Sequence, residues 1–217
     1  MDKLNFVPKQ SCLGPTVRTP QEYYAAQQRV VHNLPYKEMD KAISEIWSAY
    51  ERGAGVFTFG NGGSAALASH FACDLGKGTL TNNEGQKRFR VISLADNISL
   101  MTAWANDHGY EHVFAQQLEN LVLAGDLVFA ISGSGNSSNV LRALTVAKDY
   151  GARTVGLTGF DGGKMKKLCD VCVILPCDQM QIVEDFQLSV THAISSVIRR
   201  RMFDGIPLRG VKVAVNG

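Results

Sequence analysis

Two short segments hold the residue types that suit capture of a small anion. After the run GVFTF come Gly60, Asn61, Gly62, Gly63 and Ser64. After DLVFA come Ile131, Ser132, Gly133, Ser134, Gly135, Asn136, Ser137 and Ser138. Each reads as a strand, a polar turn and a helix start. Glycine lets backbone approach a ligand closely, free amides at a helix N-terminus favour negative charge, and serine hydroxyls add donors. One phosphate monoester between two such turns is the chemistry this predicts. Ser64, and Ser137 or Ser138, could instead serve only as helix N-caps, since serine is a preferred cap and glycine suits any tight turn. Neither turn keeps G-x-G-x-x-G spacing and no GxxxxGK[ST] occurs, so the expected ligand is a small phosphorylated metabolite rather than a dinucleotide or triphosphate.

The elements around these turns alternate. Runs at 55–59, 89–94, 126–132, 153–158 and 171–176 are apolar along most of their length and read as strands. Helical patterns fall at about 64–75, 98–106, 110–122, 138–150 and 163–168, with a last helix from about 180 to 201. This predicts an α/β fold, a three-layer α-β-α sandwich with a five-stranded parallel sheet, whose ligands bind beyond the carboxyl ends of the strands. Two more helices, at 21–32 and 36–52, precede the first strand. In the second, Met39, Ile43, Ile46, Trp47 and Tyr50 recur at helical steps. Residues 1–19 read as an N-terminal arm, 20–201 as a single domain and 202–217 as a C-terminal tail.

Composition narrows the class. The 217 residues are 45% hydrophobic and 19% charged, as in ordinary globular domains, and the net charge is only +2 with scattered basic residues, which argues against nucleic acid as a partner. No run is long enough to span a bilayer and MDKLNFVPKQ lacks a signal-peptide core, so a soluble cytoplasmic protein is expected. Five cysteines in a chain of this size suggest reduced thiols. The pair Cys169 and Cys172 has no second pair for structural zinc and reads as turn and strand residues.

The ordered segments FGNGGSAALASHFACDL, LMTAWANDHGYEHVF, ISGSGNSSNVLRAL and VGLTGFDGGKMKKLCD, with His192 on the last helix, resemble the sugar isomerase (SIS) family, with its flavodoxin-like sheet. Within it they are similar to the phosphoheptose isomerases, which interconvert sedoheptulose 7-phosphate and D-glycero-D-manno-heptose 7-phosphate in heptose biosynthesis. The resemblance runs from about residue 36 to 201. It implies phosphate-turn roles for Asn61, Gly62, Ser64, Ser132, Gly133, Ser134 and Ser137, and further substrate positions at Asp96 or Asn97 and at Gln181. It also implies a zinc site of His70, Asp74, Glu184 and His192. The first two are four apart and so share a helix face, while Glu184 and His192 are about 12 Å apart along theirs.

By the same resemblance, Asp74 would be the base and His192 the acid and base at the neighbouring carbon of an enediol reaction, with Glu184 an alternative base. The implied assembly is a homotetramer with shared sites. The chain departs from the family pattern at Asp74 (usually Glu), Glu184 (usually Gln), Gly133 (usually Thr), Gln181 (usually acidic) and Gly78 (usually Arg). These departures keep open an octulose or hexulose phosphate as substrate. A non-catalytic SIS-type binding protein is the other alternative, disfavoured by the proton-transfer groups at 70, 74 and 192.

Overall fold

The computed structural model describes residues 17–80 and 85–204. Most of the arm assigned to 1–19 and of the tail assigned to 202–217 lies outside them. Five strands, β1 (Gly55–Phe59), β2 (Arg90–Ser93), β3 (Leu127–Ile131), β4 (Arg153–Thr158) and β5 (Val171–Ile174), form one sheet in the order β2-β1-β3-β4-β5. All four pairings are parallel. Alternate residues face opposite layers: Leu127, Phe129 and Ile131 of β3 join one core, and Val128 and Ala130 join the other.

The first core is covered by α1 (Pro20–His32), α2 (Tyr36–Arg52), α3 (Gly63–Cys73) and α8 (Met180–Asp204). The second is covered by α4 (Ile98–His108), α5 (Ala115–Leu121), α6 (Ser138–Asp149) and α7 (Met165–Leu168). This is the three-layer α/β architecture expected from the alternating pattern. Buried Asp126 ties the base of the sheet, accepting from Gly55 N at 2.7 Å and Leu123 N at 2.8 Å. Helix α1 is fastened to α8 by the Tyr23 hydroxyl and the Gln27 amide, which donate to Asp185 Oδ2 at 2.5 and 2.7 Å.

The elements differ from expectation in places with local causes. Gly109, at φ +98°, ends α4, and the helix expected at 110–122 is instead a 3-10 turn at Tyr110–His112 followed, after Val113 and Phe114, by α5. Helix α3 continues into a π-helical turn over Asp74–Gly78, a widening that often accompanies functional sites. The last helix extends to Asp204. Cys169 follows α7 and Cys172 lies in β5, as read from sequence. Their sulfurs stand 2.7 and 3.4 Å from where a Cβ on Gly156 would be, so that position admits only glycine. Cys73, Cys169 and Cys172 are free, but Cys177 is disulfide-bonded, which corrects the expectation of reduced thiols throughout.

Candidate active site

The sheet order places β1 and β3 side by side while the chain leaves them in opposite directions, to β2 and to β4. Such a switch point opens a crevice outside the carboxyl ends of the two strands. Both glycine–serine turns lie there. Phe59 pairs with Ala130, so Gly60 and Ile131 enter the turns together, and a Cβ on Gly60 would meet Ile131 O at 2.7 Å. Gly62, at φ +55° and with open space where a Cβ would be, precedes α3. Ser64 is buried in the first turn of that helix.

The serines are not consumed as caps. No side-chain cap bond forms at the start of α3 or α6. Ser137 Oγ instead lies 3.3 Å from Ser132 Oγ, and Ser134 Oγ accepts from Asn136 N at 3.3 Å. The second turn is backed from β4, where Thr158 Oγ1 and Gly159 N donate to Gly133 O at 3.1 and 2.9 Å. A Cβ on Gly133 would stand 2.4 Å from Met180 Sδ, so this chain fills with methionine the space a side chain at 133 would need.

Two helices carry a second constellation. Thr58 Oγ1 donates to Ala68 O at 2.8 Å, pinning the middle of α3 to β1. Gln187 Nε2 donates to Leu157 O at 3.2 Å, pinning α8 to β4. Beyond these anchors, His70 Nε2 and His192 Nε2 are 2.9 Å apart, and each is 3.7 Å from Asp74 Oδ2. The point equidistant from these three atoms is about 2.0 Å from each, a zinc–nitrogen or zinc–oxygen bond length. The imidazoles are about half exposed (51% and 49%) and Asp74 is 25% exposed, so the group is open on one side. Among the described residues it is the cluster whose donors suit a metal ion.

Glu184 is not part of that cluster. Helices α3 and α8 run side by side with Glu184 beside Gly63 and His192 beside His70. Its carboxylate oxygens are 3.0 and 3.3 Å from where a Cβ on Gly63 would stand. The eight residues between Glu184 and His192 span about 12 Å, and the side chain turns toward the start of α3 instead of bridging that distance. The four-ligand expectation therefore becomes a three-donor group in this structure.

The remaining expected positions divide. Asp96 accepts a hydrogen bond from Ser69 Oγ, next to His70, whereas Asn97 Oδ1 caps α4 by accepting from Leu100 N at 3.0 Å. Asp96 is thus the one turned toward α3. Gln181 lies exposed in the first turn of α8.

Other residues at the site were not singled out from sequence. A cavity of about 190 Å³ beside the cluster is lined by Asp74, Gly78, His192, Ser195, Ser196 and Arg199. Arg199 lies seven residues beyond His192, a helical spacing that marks a shared face. Asn61 is held by Asn139 and Tyr110, which lie within the family-like segments but are given no role by the sequence reading.

Comparison with known proteins gives the family. The SIS domain family model matches residues 22–159. A phosphoheptose isomerase of Aliarcobacter butzleri is 38% identical over 179 residues, covering 82% of this chain and 93% of that protein. One of Helicobacter pylori is 43% identical over 145 residues, covering 67% and 74%. The solved phosphoheptose isomerase of Neisseria gonorrhoeae superposes with a TM-score of 0.76 at 29% identity, covering 84% of this chain and all of that one. The chain belongs to the SIS domain family, within its phosphoheptose isomerase group.

Proposed function

We propose that the chain is an aldose–ketose isomerase acting on sedoheptulose 7-phosphate and yielding D-glycero-D-manno-heptose 7-phosphate through an enediol. The observation that carries this reading is the placement of His70 and Asp74 along the helical run that begins at the first phosphate turn, with His192 of α8 meeting them there. His70 lies six residues beyond Ser64, about 9 Å along α3, and Asp74 about 15 Å. A phosphosugar whose phosphate sits between the turns would lie along α3 with its carbonyl end at the cluster. The names of the similar proteins support the same substrate.

In the proposed reaction Asp74 takes the proton from the carbon beside the carbonyl and His192 moves protons at the neighbouring carbon and its oxygen, roles suited to a carboxylate and an imidazole near neutral pH. The three donors fit zinc, and when bound the ion would supply polarisation of the carbonyl and stabilisation of developing oxyanion charge. Ser64, Ser132, Ser134 and Ser137 hold the phosphate, and this remote binding fixes the reacting carbons. Asp96 and Gln181 remain proposed sugar contacts. Arg199 offers a cation to substrate oxygens in the space left by Gly78.

Glu184 of α8, whose carboxylate lies beside the start of α3, is the less favoured base because it stands away from the cluster. A purely binding role is disfavoured because three titratable donors converge in an open cavity.

Association into a homotetramer belongs to the same proposal. Tyr24 and Val31 on α1, Tyr36 at the start of α2, and Leu188, Val197 and Phe203 on α8, are exposed apolar side chains that a second copy would cover. Among the described residues no helix is long and apolar enough to cross a membrane.

The test is to incubate the purified chain with sedoheptulose 7-phosphate and with hexulose and octulose phosphates, following products by NMR. Conversion of the heptulose alone supports the reading. Conversion of another phosphosugar moves the substrate, and conversion of none removes the enzyme.

A further inference from the structure

Asn61 stands in a turn expected to meet phosphate, yet its carboxamide is largely committed within the protein. Its Nδ2 donates to Asn139 Oδ1 at 2.8 Å, and Asn139 Nδ2 donates back to Asn61 Oδ1 at 2.8 Å. Tyr110 Oη donates to the same Asn61 oxygen at 3.0 Å, and Val140 N donates to Asn139 Oδ1 at 2.9 Å. A carboxamide oxygen has two lone pairs and its nitrogen two protons, so both oxygens are filled and Asn61 keeps one side-chain proton for a ligand.

This pair joins three separate segments: the turn after β1, the first turn of α6 after the serine turn, and the 3-10 turn that carries Tyr110. Asn139 is 2% exposed, and a carboxamide buried in the first turn of a helix needs hydrogen-bond partners to offset its loss of water. The reciprocal amide bonds supply it, and they fix distance and orientation together.

We propose that Asn139, aided by the Tyr110 hydroxyl, is a positioning residue for the phosphate site. The amide pair holds the Asn61–Ser64 turn in register with the Ser132–Ser137 turn, so that both sets of donors face one phosphate monoester. This rests on the phosphate reading of the turns and extends it to residues that do not themselves touch the ligand. Without the pair each turn keeps its donors but not their common focus, and substrate binding suffers more than the proton transfers at the cluster farther along α3.

The experiment measures inorganic phosphate binding by calorimetry in the wild-type chain, Tyr110→Phe, Asn139→Ala and the double variant, with steady-state kinetics and thermal unfolding on the same samples. Tyr110 is 53% exposed, so Tyr110→Phe should fold normally and decides the matter if Asn139→Ala does not fold. The expected result is phosphate binding about fivefold weaker in Tyr110→Phe and about tenfold or more weaker in Asn139→Ala, as for loss of a charge-assisted hydrogen bond. The double variant should lose less than the product of the two, because both act through Asn61. KM should rise in parallel while kcat changes less than about threefold, the pattern of lost uniform binding.

Unchanged phosphate affinity in folded variants, with only the melting temperature lowered, overturns the positioning role and leaves the function standing. A wild-type chain that neither binds phosphate nor turns over phosphosugar overturns both.

Discussion

Replacing Glu184 by Gln separates a three-donor metal group from the four-donor set that the family resemblance implies. In the structure the Glu184 carboxylate sits at Gly63, about 12 Å along α8 from His192. A divalent ion and a single negative charge that far apart in an exposed setting interact by about 0.7 kcal/mol at most in the dielectric of water, and less at physiological salt. Glu184→Gln should therefore change zinc affinity by no more than about threefold. Loss of a true ligand is a different matter. Removing even the outer partners of metal ligands costs about 10- to 100-fold, so His192→Ala or Asp74→Asn should cost at least the upper end of that range.

Zinc competition against a chromophoric chelator reads all three variants on one scale, with elemental analysis of the purified proteins as a check. Glu184→Gln near wild type beside a large loss in His192→Ala is the expected outcome. A loss in Glu184→Gln as large as that in His192→Ala would make Glu184 a ligand after all, its side chain swinging from Gly63 to complete the site.

Ser134→Ala with Ser137→Ala should weaken phosphosugar binding by roughly 1.5–3 kcal/mol for each charge-assisted hydrogen bond lost, measured by calorimetry. Unchanged affinity would remove the serine turn from the phosphate site. Gly133→Thr should destabilise by about 1–3 kcal/mol through collision with Met180, and Met180→Ala in the same chain should recover most of that in thermal unfolding. Additive losses would show that Met180 is not the obstacle. The phenol of Tyr23, partly buried and bonded to Asp185, has its pKa pushed up to about 12. The folded state thus favours the protonated phenol, so its contribution is complete below pH 10 and is lost as pH rises through about 12. Tyr23→Phe should flatten the decline in stability across that window, and an unchanged profile would free α1 from this anchor.

Much of the architecture was legible because strand and helix periods alternate cleanly and the polar turns punctuate them. Val128 and Ala130 between Leu127, Phe129 and Ile131 give a strand apolar on both faces, as a covered parallel sheet requires. The π turn at Asp74 and the division of 110–122 into a 3-10 turn and α5 were not legible, since both depend on backbone geometry that residue type alone does not specify. At the site, the i and i+4 spacing of His70 and Asp74 forecast their meeting, and the resemblance supplied His192. It did not forecast the departure of Glu184 to Gly63, because the relative offset of two packed helices is set by anchors such as Thr58 and Gln187 rather than by spacing along either one. Asn139 and Tyr110 escaped notice for a related reason. Their partner is Asn61, far away in sequence, and a polar residue beside a serine turn looks solvent-facing until the fold buries it.

In the proposed reaction, proton transfer at His192 and Asp74 interconverts a ketose and an aldose phosphate through an enediol. The most direct measurement is incubation of the zinc-loaded protein with sedoheptulose 7-phosphate in D₂O, with proton and carbon NMR to locate deuterium. Aldose should form with solvent deuterium at the carbon next to the carbonyl, and His192→Ala should lose both conversion and exchange while phosphate binding persists. Exchange and conversion that survive in His192→Ala, or aldose formed with no solvent deuterium in the wild-type chain under conditions of a single turnover, would contradict this reaction.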